Sequence, residues 1–221
     1  MLTSAIAMAT LLQTPQQDPG PAEMIRNVLR YYRSLKELLI EMERESTEGS
    51  STSTYKQELQ WKRDEGFVLR VEPADTNPSL PTPSYYKENG QIYALLPSGG
   101  KARSAVKLDT VKGNVPEWEL AGGMVLSAVE ETPASGFILN PQNDKNAQYK
   151  FGPTTSWRGE KVREIQMISK DAGGASASFF VSPDQRRLVG VQYRQGRQSG
   201  WVHYRTQVLS FHEASKFTSG P

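Results

Sequence analysis

The chain has 221 residues, 37% of them hydrophobic and 23% charged, enough to bury a real core as one domain. Basic and acidic residues nearly balance, 26 against 24, for a net charge of +2, so the electrostatic footprint of a nucleic-acid-binding protein is missing. There is no cysteine, which removes disulfides, thiolate metal sites, cysteine nucleophiles and an acylated N-terminal cysteine anchor together.

Residues 1–21 read as a signal peptide and polar leader. Leu2 to Leu12 is uncharged and mostly apolar, contains Ala7-Met8-Ala9, and runs into a Gln/Pro stretch from Gln13 to Pro21. At about 11 residues it is too short to span a bilayer, which needs ~20, and it fits the apolar region of an export signal, although no Lys or Arg precedes it. Export places the protein in the periplasm. Residues 22–221 read as a single domain.

From Ala22, apolar residues recur at Met24, Ile25, Val28, Leu29, Tyr32, Leu35, Leu38, Leu39 and Met42, a spacing that is helical throughout. Leu38, Ile40 and Met42 also alternate with Leu39, Glu41 and Glu43 as a strand does; periodicity alone does not settle where the helix stops, and the change is expected near Ser34 to Lys36. Strands are predicted over Tyr55–Arg63 and Phe67–Val71, over Tyr85–Lys87 and Gln91–Leu96 around the Asn89-Gly90 turn, and over Trp157–Ser169, Ser176–Val181, Leu188–Arg194 and Trp201–Phe211. Residues 74–83 hold three prolines and read as a loop. Pro116 to Glu131 is a second helix, in which Gly122-Gly123 costs about 1 kcal/mol per glycine and makes it weak, broken or mobile. The fold class is α+β, mainly β.

Catalytic patterns are missing from this sequence. His203 and His212 are nine residues apart, on opposite faces of a strand, and read as incidental surface or edge residues. Ser98-Gly99-Gly100-Lys101 lacks the first glycine and the final hydroxyl of a phosphate loop. Glu41, Glu43 and Glu45 repeat as an outward strand face. Arg186, Arg187, Arg194, Arg197 and Arg205 read as solvated hairpin positions. Neither a metal nor a cofactor is expected, and the chain does not read as an enzyme.

Leu59, Trp61 and Arg63 share strand parity. Either Arg63 turns inward and meets backbone carbonyls left over at a helix end, or the strand stops before it and the side chain reaches water.

The run Leu59 to Phe67 resembles the segment of LolA-type lipoprotein carriers in which a strand ends in Lys-Arg-Pro and re-enters with an aromatic. Tyr86 to Tyr93 resembles a hairpin of that family, and Ala214 to Thr218 its C-terminal ending. The resemblance implies an open, strongly curved antiparallel sheet, an incomplete β-barrel, closed by an N-terminal helix and a short mid-chain lid helix. It implies a monomeric carrier of lipoprotein acyl chains, passing them between membrane-bound donor and acceptor proteins. The family arginine that holds the lid maps onto Arg63, and Asp64 stands where the family has proline. On this frame Leu59, Trp61, Phe67, Leu69, Tyr93 and Leu95, with Trp118 and Val125 from the lid, line an apolar concavity that binds lipid. The related regulator RseB shares the sheet, so an envelope-stress sensor is the second reading.

Overall fold

The computed structural model describes residues 18–74, 83–96, 104–108, 117–170 and 175–207. The apolar run at Leu2–Leu12, the middle of the proline loop, the Ser98-Gly99-Gly100 turn, His212 and the Ala214–Thr218 ending lie outside them.

The first helix, α1 (Pro21–Ser34), begins on a proline, whose missing N–H is no loss in a first turn, and ends where Leu35 turns extended. It buries Met24, Ile25, Val28, Leu29 and Tyr32 along one side, the face the sequence spacing predicts. Two long strands follow, β1 (Glu37–Glu48) and β2 (Ser51–Lys62), then β3 (Gly66–Pro73), β4 (Ser84–Glu88), β5 (Gln91–Leu96) and β6 (Ser104–Lys107). The middle of the chain carries α2 (Glu117–Val129), α3 (Pro133–Leu139) and a 3₁₀ turn at Pro141–Asn146. The last part adds β7 (Ala147–Phe151), β8 (Ser156–Trp157), β9 (Glu160–Lys161), β10 (Arg163–Ser169), β11 (Ser176–Val181), β12 (Leu188–Gln195) and β13 (Gln198–Gln207).

Eleven strands form one antiparallel sheet in the order β6-β5-β4-β3-β2-β1-β13-β12-β11-β10-β7. The two ends of this order, β6 and β7, do not pair with each other, so the sheet is open. Asn89 (φ 47°) and Gly90 (φ 76°) both take the left-handed conformation that a two-residue hairpin needs. In the register, Ile40 faces Leu59, Leu59 faces Leu69, Leu69 faces Tyr85 and Tyr85 faces Ala94, which carries one apolar row across five strands. On the other half Tyr204, Val202, Val191, Phe179 and Ile165 continue the same face. α1 packs over β7, β10 and β11, and α2 lies beside α1 and against β3, so the two helices cover the concave side together. No described helix is long and apolar enough to cross a membrane.

The open antiparallel sheet with helices over its concave side agrees with the α+β, mainly β fold class and the open sheet expected from the sequence. Three details differ from expectation. Trp157–Ser169 is not one strand: Arg158 (φ 48°) and Gly159 (φ 83°) turn the chain, and the β8–β9 hairpin folds onto the convex face. There Trp157 stacks on Phe180 at 4.6 Å, and a Cβ at Gly190 would stand 2.2 Å from its ring. His203 is buried beneath this hairpin, edge-on to Trp157 and 3.3 Å from Glu160 Oε1, and is not an incidental surface residue. Finally, β6, β7 and α3 are additions to the predicted elements.

The convex face also holds a built-in acid sensitivity. Glu164 accepts from Ser178 Oγ (2.8 Å), Gln166 Nε2 (2.9 Å) and the Thr154 backbone N–H (3.0 Å). Burial pushes its carboxyl up, but these donors outweigh that and hold it below the ordinary carboxylate range. A carboxylate depressed in the folded state adds stability above its unfolded pKa of about 4.3, and that stability is lost as pH falls through the folded value. Thermal melts from pH 6 to pH 3 should therefore show Glu164→Gln less stable than the parent at pH 6, with the gap closing below about pH 4. A gap independent of pH would show that the ionised form contributes nothing.

Candidate functional site

The concave face has two kinds of ground. Under the helices it is filled. Leu59, Phe67, Leu69 and Val125 are fully buried in the main core and Trp61 nearly so. Tyr93 and Leu95 are placed differently from expectation. Ala94 carries the inward row, so its neighbours Tyr93 and Leu95 point to the opposite face, where Tyr93 stacks on Tyr86 at 4.9 Å. The side chain of Trp118 lies outside the described residues. Leu96 and Val106, on concave positions at the β5–β6 edge, are exposed apolar residues that the sequence reading did not single out.

The covering helix α2 is broken. Gly123 sits at φ 63°, ψ −163° inside it, a conformation open essentially to glycine alone. Beyond the break the helix restarts at Met124, whose backbone N–H donates to Tyr204 Oη at 3.1 Å, so a buried phenol serves as the cap of the second segment. Burial strongly raises the Tyr204 pKa, and the hydroxyl stays protonated throughout the physiological range. At the far end, Glu130 Oε1 accepts from Trp61 Nε1 at 2.8 Å and Glu130 Oε2 pairs with Lys87. The Glu130 side chain is only 7% exposed, so these partners compensate a desolvated charge. The segment of α2 beyond the break, Met124 to Val129, is thus tied down at both its ends by polar contacts.

Arg63 stands in the turn after β2, which ends at Lys62, and is exposed. Its side chain nevertheless reaches a helix end. Its Nε and Nη2 donate to the Leu35 carbonyl at 3.2 and 2.9 Å, and Nη2 also donates to the Arg33 carbonyl, satisfying acceptors left over where α1 stops. Arg33 in turn donates from Nε to the Ala128 carbonyl of α2 (3.3 Å) and from Nη2 to Ser135 Oγ (3.1 Å). The chain of contacts therefore runs from the β2–β3 turn through α1 to both mid-chain helices. Asp64 takes φ 68°, which a proline, fixed near −65°, could not adopt. This turn is therefore built differently from a Lys-Arg-Pro turn. Around it a cleft of about 680 Å³ opens between the β2–β3 and β4–β5 turns and the end of α2, with Trp61, Arg63, Lys87 and Glu130 in its wall.

No group of three or more potential metal ligands occurs among the described residues.

No family model matches the sequence, and no curated protein matches it. Solved structures do resemble the fold. MucB matches at 8% identity with a TM-score of 0.53, over 90% of this chain and 62% of that one. The MucA/MucB complex of Pseudomonas aeruginosa matches at 9% identity and TM-score 0.51, over 90% of this chain and 61% of that one. A LolA superfamily protein from Nitrosomonas europaea matches at 10% identity and TM-score 0.41, over 91% and 98%. The chain spans about three fifths of the MucB chain. At these identities the likeness is one of fold.

Proposed function

We propose that this chain is a non-catalytic binding protein that takes the acyl chain of a lipid or lipoprotein between its open sheet and α2, in the manner of an exported carrier. The observation that supports it most is the construction of α2. A helix that covers an apolar sheet, breaks at Gly123 and is fastened by a few polar contacts separates at lower cost than a continuous packed helix. Each CH₂ moved from water into the uncovered face contributes ~0.8 kcal/mol, so one acyl chain offsets the loss of those contacts without a specific polar interaction. In this reading α2 is the lid, Leu59, Trp61, Phe67, Leu69 and Val125 become the lining once it lifts, and Arg63 holds the closed, empty state through α1. Leu2–Leu12 directs export to the periplasm, a monomer suffices, and membrane-bound proteins supply and accept the ligand.

The test is native mass spectrometry of protein purified gently from cells, followed by displacement with a fluorescent fatty acid. Co-purified lipid that the probe displaces supports the reading. A bare protein that never takes up the probe overturns it. Arg63→Leu loosens the end of α1 from which Arg33 reaches the Ala128 carbonyl of α2, a contact only the closed state makes, so binding should persist while apparent affinity rises and release slows. The expected change is about threefold to tenfold, the range that an exposed hydrogen-bonding contact of ~0.5–1.5 kcal/mol supports. Identical affinity and release rates for both proteins would remove Arg63 from the mechanism.

A second reading, an envelope sensor that binds a protein partner, draws on MucB, which has been solved in complex with MucA. Capture of a protein partner whose affinity depends on lipid occupancy would favour it over a carrier.

A further inference from the structure

Burial on the concave face falls steadily along β1 and β2. Leu38, Ile40 and Met42 are buried on β1, and then Arg44 and Ser46 are half-exposed. On β2, Trp61, Leu59 and Gln57 are buried, and Tyr55 and Ser53 are half-exposed. Burial is deepest beneath the helices and falls away toward the β1–β2 turn. Arg44, opposite Tyr55 and Val202 in the register, stands at that boundary. Among the described concave positions of β1 to β3 and β11 to β13 it is the only cation; the other lysines and arginines of these strands sit on the convex face or at strand ends. Gln57, two residues along the neighbouring strand from Tyr55, is 5% exposed, and its Oε1 is buried with no hydrogen-bond partner. Buried polar groups are normally satisfied, and an unpaired buried amide position, which a half-turn of Gln57 changes from acceptor to donor, marks a place where a polar partner is wanted.

We infer that Arg44 and Gln57 form a headgroup site for an anionic amphiphile, a carboxylate lying at the open mouth with its tail running inward beneath α2. This rests on the acyl-binding reading above and adds the chemistry of the ligand's polar end. Arg44 donates to a carboxylate in the fork geometry its guanidinium provides. Gln57, whose amide oxygen and nitrogen exchange places by a half-turn, donates to the same group. The Gly123 break and the Tyr204 cap lie next to this point, since Tyr204 faces Met42, two residues from Arg44. A tail entering here meets the restart of the helix first.

The test compares a long-chain fatty acid with its methyl ester, equal in length, by displacement of a neutral fluorescent acyl probe at pH 8. The wild-type protein should bind the acid at least tenfold more tightly than the ester. Arg44→Met should abolish that preference while ester affinity stays within about twofold, and Gln57→Glu, which places a carboxylate beside Arg44, should abolish it too. Circular dichroism melts establish that each variant is folded, and the wild-type comparison stands without them. Equal wild-type affinity for acid and ester overturns the headgroup site and leaves acyl binding intact. A preference that survives in a folded Arg44→Met overturns it as well. Binding of neither ligand overturns the acyl-binding reading, and the headgroup site with it.

Discussion

Replacing Glu130 by leucine is expected to destabilise the protein by about 2–4 kcal/mol, the range for removing one member of a buried, hydrogen-bonded ion pair, discounted because Lys87 keeps some contact with water. The carboxylate is nearly sealed, and its two oxygens serve different strands: Oε1 takes the indole N–H of Trp61 on β2, and Oε2 takes the ammonium of Lys87 on β4. Without it, a buried indole N–H and a partly buried cation are left at the closed end of the concave face. The double variant Glu130→Leu/Lys87→Met should recover part of the loss, because the stranded charge goes with its partner. Urea denaturation of the four proteins measures this. Strictly additive effects would mean that the two side chains do not act as a pair. In ligand exchange, Glu130→Leu should speed uptake, since the far end of α2 is no longer fastened.

Gly123→Ala should have a comparable effect for a different reason. The backbone at φ 63°, ψ −163° penalises any side chain by about 1–3 kcal/mol. The new Cβ would also stand 2.5 Å from Tyr204 Oη, the oxygen that caps the restarted helix. Together these set an expected loss of about 2–4 kcal/mol. Two companions separate the parts. Tyr204→Phe in the Gly123→Ala background should relieve the collision but not the backbone strain, giving less than additive damage. Gly136→Ala, in α3 where a Cβ meets nothing within 4 Å, should instead stabilise by up to ~1 kcal/mol. If Gly123→Ala were as harmless as Gly136→Ala, the broken form of α2 would not be the native one.

The elements were legible wherever local chemistry and tertiary packing agree. Met24, Ile25, Val28, Leu29 and Tyr32 mark the buried face of α1, and Asn89-Gly90 marks a tight hairpin with both residues left-handed. Gly122-Gly123 announced a weak helix, and the break falls at the second glycine. What failed were inferences of side. Alternation gives two faces without saying which is inside, and apolar character alone points Tyr93 and Leu95 inward. The register puts Ala94 there instead, and Tyr93 finds its apolar contact outside, on Tyr86. His203 shows the complementary case. A polar residue on the convex face reads as solvated, but the β8–β9 hairpin returns over it, and the turn that makes this possible depends on Arg158 adopting a left-handed conformation that its residue type does not advertise.

Arg63 illustrates the limit in another way. Sequence parity left it either inward or in water, and the structure combines the two: the strand ends at Lys62, the side chain is exposed, and its donors still reach the carbonyls at the end of α1. Helix-end acceptors are visible in a sequence only as the place where a helix stops. Which distant donor meets them is decided by the fold.

The central claim is that α2 lifts from the sheet to admit an acyl chain, and hydrogen–deuterium exchange with and without a saturating fatty acid tests it most directly. Bound ligand should raise amide exchange across Gly123 to Val129 by at least tenfold, while β1, β2 and β13 stay as protected as before. Binding of the fatty acid with α2 exchange unchanged or slowed would contradict it, because the ligand would then sit elsewhere on the molecule with the lid still closed.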